Sequence, residues 1–261
     1  MTFRWVLIAA LAALAACGKS PAKPGDGSNN RAGDGNTGAE IPPHMPGNHG
    51  IGGHGLSFDR FASTHAATID TPAFTTAATG STMIVSIGRG KAKVLTAGER
   101  APFDNKGNSP YQLLGSEEPY TLYPDSGTGA YAFPNYAGGD NTIVSTNCPT
   151  DDEITISAVE ITGATHVSQV WNEQLQPPLT SLDITTTGPA ALVAYWWGDN
   201  DADQRTAVPN NGFTVIDSAL SAGEFVEEAV AVKLVDKAGT YNVTWDATPT
   251  EGAQLWLIAV E

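Results

Sequence analysis

The sequence predicts an all-β protein: a two-sheet antiparallel sandwich of jelly-roll type, set behind an export signal and a disordered tether. Three observations carry this. From about residue 56 the chain becomes a series of short apolar runs separated by Gly, Pro, Asn and Asp. One run, TYNVTWDA, alternates cleanly: Tyr241, Val243 and Trp245 on one face, Asn242, Thr244 and Asp246 on the other. No stretch after the signal has a helical period with caps at both ends.

The first twenty residues, MTFRWVLIAALAALAACGKS, carry one positive charge, Arg4, and then an apolar run from Trp5 to Ala16. The run is too short to remain as a membrane-spanning helix and reads as an export signal. Leu14-Ala15-Ala16-Cys17 resembles a bacterial lipobox. The resemblance implies removal of residues 1–16 and a diacylglyceryl group on Cys17. It also implies attachment to the membrane through that lipid, and Gly18 after the cysteine points to the outer membrane. Residues 17–55 read as the lipidated cysteine and a tether. Residues 18–55 hold eleven Gly and five Pro, too little apolar surface to offset the entropy of ordering. A flexible chain of this length spans roughly 35 Å r.m.s.. His44, His49 and His54 recur every five residues there, but a Gly-rich coil preorganises no metal site, so they read as linker polar groups.

Residues 56–261 form the expected β-sandwich domain. STMIVSIG, EITISAVEI, ALVAYWW, FTVIDS, EAVAVKLV and QLWLIAV read as strands, several of them apolar on both faces. Gly-Arg-Gly, Asp-Asn-Lys-Gly-Asn, Ala-Gly-Gly-Asp-Asn and Pro-Asn-Asn-Gly mark turns. No internal repeat is apparent. The longest irregular stretch, about Ala101 to Asn141, is where a sandwich would carry function. The ordered series GSTMIVSIGRG, DNKGNSPYQLLG, SGTGAYAFPNYAGGDNTI, DDEITISAVEITGA, ITTTGPAALVAYWWGD, GFTVIDS and EAVAVKLVDKAGTYNVTW resembles a β-sandwich domain of secreted bacterial proteins. That pattern has a D-x-x-G-N-x-Y turn, an A-G-G turn and an A-V-E strand, and it covers about residues 70 to 260. The resemblance implies the fold and lends no catalytic residues. Ser109-Pro110-Tyr111 departs from it, placing the tyrosine later than the pattern expects.

Composition narrows the function. The net charge is −15, and loss of Arg4 with the signal leaves 12 basic against 28 acidic residues. Such a surface repels phosphate backbones, which excludes nucleic acid as an expected partner. Of the two cysteines, lipidation would consume Cys17 and leave Cys148 unpaired, so a hydrophobic core must supply the stability. Cys148 sits in a turn with no basic neighbour in sequence and reads as an idle thiol.

The most pointed stretch is WWGDNDADQ, residues 196 to 204. Trp196 or Trp197, if exposed, is an aromatic platform for a sugar ring. Asp199, Asp201 and Asp203 alternate as calcium ligands do. An EF-hand loop needs Gly at its sixth position and Glu at its twelfth, where Gln204 and Asn210 stand, so an acidic solvated turn is the favoured reading, with a calcium ion gathered by Asp199, Asp201 and Asp203 in a different loop as the alternative and no other cofactor expected. Asp125-Ser126-Gly127 has no second copy for aspartic-protease chemistry and reads as a turn. Glu153 and Glu160 lie on opposite faces of one strand and cannot flank a glycosidic bond; Glu160 reads as a solvent-side residue. His65 and His166 complete no nucleophilic triad. The expectation is therefore a lipid-anchored, non-catalytic envelope module that binds or interacts, with a glycan as the favoured ligand near Trp196 and Trp197. The alternatives are a carbohydrate-active hydrolase with an unrecognised carboxylate pair, or a purely structural envelope lipoprotein.

Overall fold

The computed structural model describes residues 49–59, 68–148, 152–199, 206–220, 226–248 and 252–261. Cys17 and His44 lie outside them. The described chain is built almost wholly of antiparallel strands, as expected of an all-β sandwich.

The first half contains β1 (Gly50–Asp59), β2 (Thr68–Asp70), β3 (Ser81–Arg89), β4 (Phe103–Asp104), β5 (Gln112–Leu113), β6 (Glu118–Pro119), β7 (Gly127–Tyr136), β8 (Val144–Asn147) and β9 (Ile154–Thr162). Its large sheet runs β1-β9-β3-β7-β5, with β6 also pairing β7, and its small sheet runs β2-β8-β4. Successive strands cross from one sheet to the other and back, which is jelly-roll wrapping. The second half contains β10 (Val167–Gln174), β11 (Leu179–Thr180), β12 (Ile184–Thr186), β13 (Ala190–Asp199), β14 (Thr206–Pro209), β15 (Thr214–Ala219), β16 (Val226–Val235), β17 (Gly239–Tyr241), β18 (Thr244–Thr248) and β19 (Ala253–Val260). Its large sheet runs β10-β19-β13-β16-β15 and its small sheet β11-β18-β14, with a β12–β17 pair added. The two orders are the same, strand for strand. β5 and β6 together do for β7 what β15 does for β16.

The expected sandwich is thus present twice, and an internal repeat that the sequence reading missed is plain in the topology. The two large sheets pack face to face, and each is covered on its outer face by its own small sheet. That is why β3, β9, β13, β16 and β19 are buried on both sides. One core fills the space between the rolls, with Ile84, Val159, Val193, Tyr195, Val230 and Trp256 among its members. A second core lies inside the second roll and a third inside the first. The contacts exchange as a pseudo-two-fold requires: β16 lies on β9, and β19 lies on β7. The arrangement is an isologous dimer written in one chain.

A short trace of the repeat survives in sequence. Ala158-Val159-Glu160 lies in the second half of β9, and Ala259-Val260-Glu261 runs off the end of β19. Glu160 is buried, not solvent-side as expected. Its carboxylate accepts from the amides of Ala77 (2.8 Å) and Gly53 (3.3 Å). Glu261 accepts from the amides of Thr187 (2.6 Å) and Gly188 (3.0 Å). Each glutamate therefore pins the turn that leads into a central strand, β3 or β13, and Glu160 holds the Gly53 amide of β1 as well, satisfying amides that the sheet cannot.

Other expectations are revised. The ordered domain starts before residue 56, because Gly50–Gly55 belong to β1 and pair with β9. The glycines there serve close packing: a Cβ on Gly53 would stand 2.2 Å from the carbonyl oxygen of Thr75. His54 is accordingly a strand residue, whose Nδ1 lies 2.5 Å from Asp217 on β15. This pair joins the edges of the two large sheets. β7 runs through the region expected to be irregular, disguised by Gly127, Gly129 and Pro134. TYNVTWDA is split between β17 and β18, although Val243 and Trp245 are buried as its alternation implied. The D-x-x-G-N turn keeps its tyrosine despite the altered spacing, since Tyr111 donates to Asp104 at 2.7 Å.

The rolls are keyed together by size. The second roll presents Tyr195, Trp197, Glu228 and Trp256; the first presents Ser86, Gly88, Thr128, Ala130, Thr155 and Ser157. A Cβ on Gly88 would lie 1.7 Å from Nε1 of Trp197, so the indole occupies space that only glycine leaves open. Trp256 Nε1 donates to the Thr128 hydroxyl at 2.8 Å. Overpacking a filled core costs about 1–3 kcal/mol or more. Gly88→Leu is therefore expected to lose about 3 kcal/mol or more of stability in urea denaturation followed by Trp fluorescence. Gly188→Ala, whose Cβ meets nothing within 4 Å, should stay within about 0.5 kcal/mol of the parent.

Candidate functional site

The residues singled out from WWGDNDADQ do not form an exposed site. Trp196 is 0% exposed and Trp197 1%. Trp196 faces the interior of the second roll with Leu192 and Trp245. Trp197 faces the first roll, edge-on to Tyr120 at 5.5 Å and 87°. Strand alternation would leave one of two adjacent tryptophans on an open face, but β13 has no open face, because it is a central strand between two covering layers. A sugar platform at Trp196 and Trp197 is therefore ruled out by burial. Asp199 is the last residue of β13, paired through its backbone with Val226. Asp201 and Asp203 lie outside the described residues. Among the described residues no group of three His, Cys, Asp or Glu side chains could hold a metal ion.

The strand registers divide the domain into two ends. Gly50 opposes Thr162, and Val260 opposes Val167 and Ala191. The entry of the chain at residue 49 and the C-terminal Glu261 therefore share one end. Arg89 opposes Ile154 and Gly127, while Trp197 opposes Gln254 and Glu228. These mark the other end, about 30 Å away along ten-residue strands.

A cleft of about 160 Å³ opens at this far end. β3 and β7 form its floor, with Arg89, Gly129 and Tyr131 among its lining. One wall is the segment from Ala92 to Arg100, and the other is Glu117–Pro119. The first wall ends in a helical turn, Ala97–Arg100, held by Glu99, which accepts from the Thr96 amide (2.8 Å) and hydroxyl (2.7 Å). The turn aims Arg100 across the cleft. Its guanidinium donates to the carbonyls of Ala92 (2.9 Å) and Leu95 and pairs with Glu117. The other Glu117 oxygen accepts from the Tyr131 hydroxyl at 2.8 Å. Burial, aided by Glu117, holds that phenol above its ordinary range.

Beneath the cleft Arg89 donates to the Asn147 carbonyl (2.8 Å), the Thr146 hydroxyl (2.7 Å) and Asp152 (3.4 Å). Burial pushes the Asp152 carboxyl up to about 6 despite Arg89 and the Lys91 amide, and it lowers Arg89 in the same way. Burial also pushes the Cys148 thiol up to about 12, only partly offset by Arg89. At the rim Lys93 and Asp125 make an exposed pair at 3.2 Å. Asp125-Ser126 is a turn, as expected: the Ser126 amide and hydroxyl donate to the Tyr123 carbonyl at 2.8 and 2.6 Å. That turn leaves Tyr123 51% and Leu122 52% exposed.

Sequence reasoning passed over Arg89, Arg100, Glu117, Tyr131 and Tyr123. The usable signals were Arg89, a charge closing a largely apolar strand, and the flagged stretch Ala101–Asn141, which supplies the second wall and the β7 part of the floor. No protein-family model matches the chain, and neither does any curated protein.

Among the buried acids outside the cleft, one stands in the interface core. Glu228, between the rolls, accepts from the Ser157 hydroxyl at 2.7 Å. Burial pushes its carboxyl up to about 7, against nearby hydroxyls of Thr155, Ser157 and Ser86, and Asp217 adds to the rise. The folded state thus holds this proton more tightly than the unfolded chain, whose carboxyl titrates near 4.5. Stability from this group is full below the unfolded value and falls as pH rises from about 4.5 to about 7, then stays level. Glu228→Gln, isosteric and neutral, should remove this slope and stabilise the protein above pH 7 by on the order of 3 kcal/mol. Urea denaturation of both proteins between pH 4 and 8 checks it; parallel curves would contradict the assignment.

Proposed function

We propose that this chain is a lipid-anchored outer-membrane envelope protein whose two-roll domain is a non-catalytic binding module, with a glycan as its ligand class. The anchor rests on the lipobox-like Leu14-Ala15-Ala16-Cys17 and the apolar run before it. The observation that carries the binding reading is the polarity of the domain. The tether joins at one end, and the cleft, with the exposed Tyr123 and Leu122 beside it, lies at the other. A module so built presents its cleft away from the membrane. An exposed aromatic ring next to hydrogen-bonding groups suits a sugar, whose C–H face stacks while its hydroxyls bond.

The non-catalytic reading is supported by the state of the acids. Glu117 is engaged on both oxygens by Arg100 and Tyr131. Asp152 and Glu228 are sealed beneath the surface. Glycoside hydrolysis needs an acid and a second carboxylate facing one another across an open bond. The acidic surface agrees with a neutral ligand better than with a polyanion.

A glycan array probed with the lipid-free chain, residues 18–261, tests this. The expected result is saturable binding to envelope-type glycans, weakened about threefold to tenfold by Tyr123→Ala, the range of an aromatic stacking contact. Trp196→Phe should leave affinity unchanged wherever the protein remains folded. No glycan bound at any concentration would return the weight to a structural role.

A further inference from the structure

We propose that the cleft between Arg100 and Glu117 is a subsite for a single neutral, hydroxyl-rich ring, the terminal unit of a sugar chain, and that it discriminates against acidic sugars. This rests on the binding reading above and adds the ligand's size and charge.

Size comes from the cavity. At about 160 Å³ it is well below the roughly 300–1,000 Å³ of pockets for drug-sized ligands. One ring enters; a chain continues outward, over the rim where Leu122 and Tyr123 are exposed.

Charge comes from the pairing. Three cations stand in the lining, and each faces an acid: Arg89 with Asp152, Arg100 with Glu117, and Lys93 with Asp125. The remaining lining acid, Glu118, accepts from the Ser116 hydroxyl. The local balance is neutral to negative, so an incoming carboxylate finds no cation that is not already paired. A neutral ring breaks no pair. Vicinal hydroxyls can each accept from one member of the Arg100–Glu117 couple and donate to the other, because a hydroxyl does both. The couple is held from behind by the carbonyls of Ala92 and Leu95 and by Tyr131, so it meets the ligand already in place.

The test uses the chain from residue 18 and three probes: a methyl hexopyranoside, the corresponding methyl hexuronide and the corresponding 2-amino sugar. Saturation-transfer NMR and calorimetry read the affinities, and thermal melting confirms that variants are folded. The neutral glycoside is expected to bind at millimolar concentration and the uronide at least about tenfold more weakly. Glu117→Gln and Arg100→Lys should each weaken the neutral ring by about tenfold, as loss of a charged hydrogen bond does. A uronide bound as tightly as the neutral ring, or tighter, overturns the charge argument. A tighter amino sugar does the same and makes the cleft a cation site. If no monosaccharide binds while the array shows Tyr123-dependent binding, the subsite is wrong and the binding module stands. If both are blank, both fail.

Discussion

The structure depends on one fit: three aromatic side chains of the second roll, Tyr195, Trp197 and Trp256, sunk into the small-residue part of the first roll's inner face, around Ser86, Gly88, Thr128, Ala130 and Ser157. Two identical jelly rolls related by a two-fold would need a face that is its own complement. Here the repeat has diverged, so that one face is the complement of the other. Gly88 shows how close the fit is, because Trp197 takes the volume that any side chain at Gly88 would need. Interiors pack at crystal-like density, so such complementarity makes the interface specific as well as adhesive.

That fit has consequences at the edges and at the far end. With the large sheets locked, β1 lies against β15, and His54 reaches Asp217 across the seam. On the opposite seam Glu173 of β10 accepts from the Thr121 amide at 2.9 Å. The second of these contacts fixes the segment that bears Glu117, Tyr120 and Tyr123. Tyr120 in turn stacks on the edge of Trp197. The cleft is therefore supported from below by the interface core. The segment that carries its outer wall is anchored on the partner roll, which is how a site on irregular chain acquires fixed geometry.

Much of this was legible in the chain. Apolar runs such as ALVAYWW and QLWLIAV are strands where they were expected. Their two-sided apolarity has a definite cause, since each large sheet is covered twice. What was not legible has physical reasons. β1 and β7 carry glycines chosen for close backbone approach, and composition alone cannot tell these from glycines of a flexible linker. The tryptophan pair promised an exposed ring only on the assumption of two layers. The second roll behind β13 and the small sheet in front of it remove both open faces. The repeat left too little identity to see beyond Ala-Val-Glu, because the shared feature is the path of the chain. The cleft residues Arg89, Arg100, Glu117 and Tyr131 are brought together by that path and by no local motif.

The account stands or falls on the two rolls being one cooperative body. Native-state hydrogen exchange under increasing denaturant tests this directly, since it resolves openings segment by segment. Amides of β3 and β9 in the first roll and of β13 and β19 in the second should open together, at one shared free energy equal to that of global unfolding. A sub-global opening that exposes one large sheet while the other stays protected would contradict it. The cleft would then belong to a single roll standing alone.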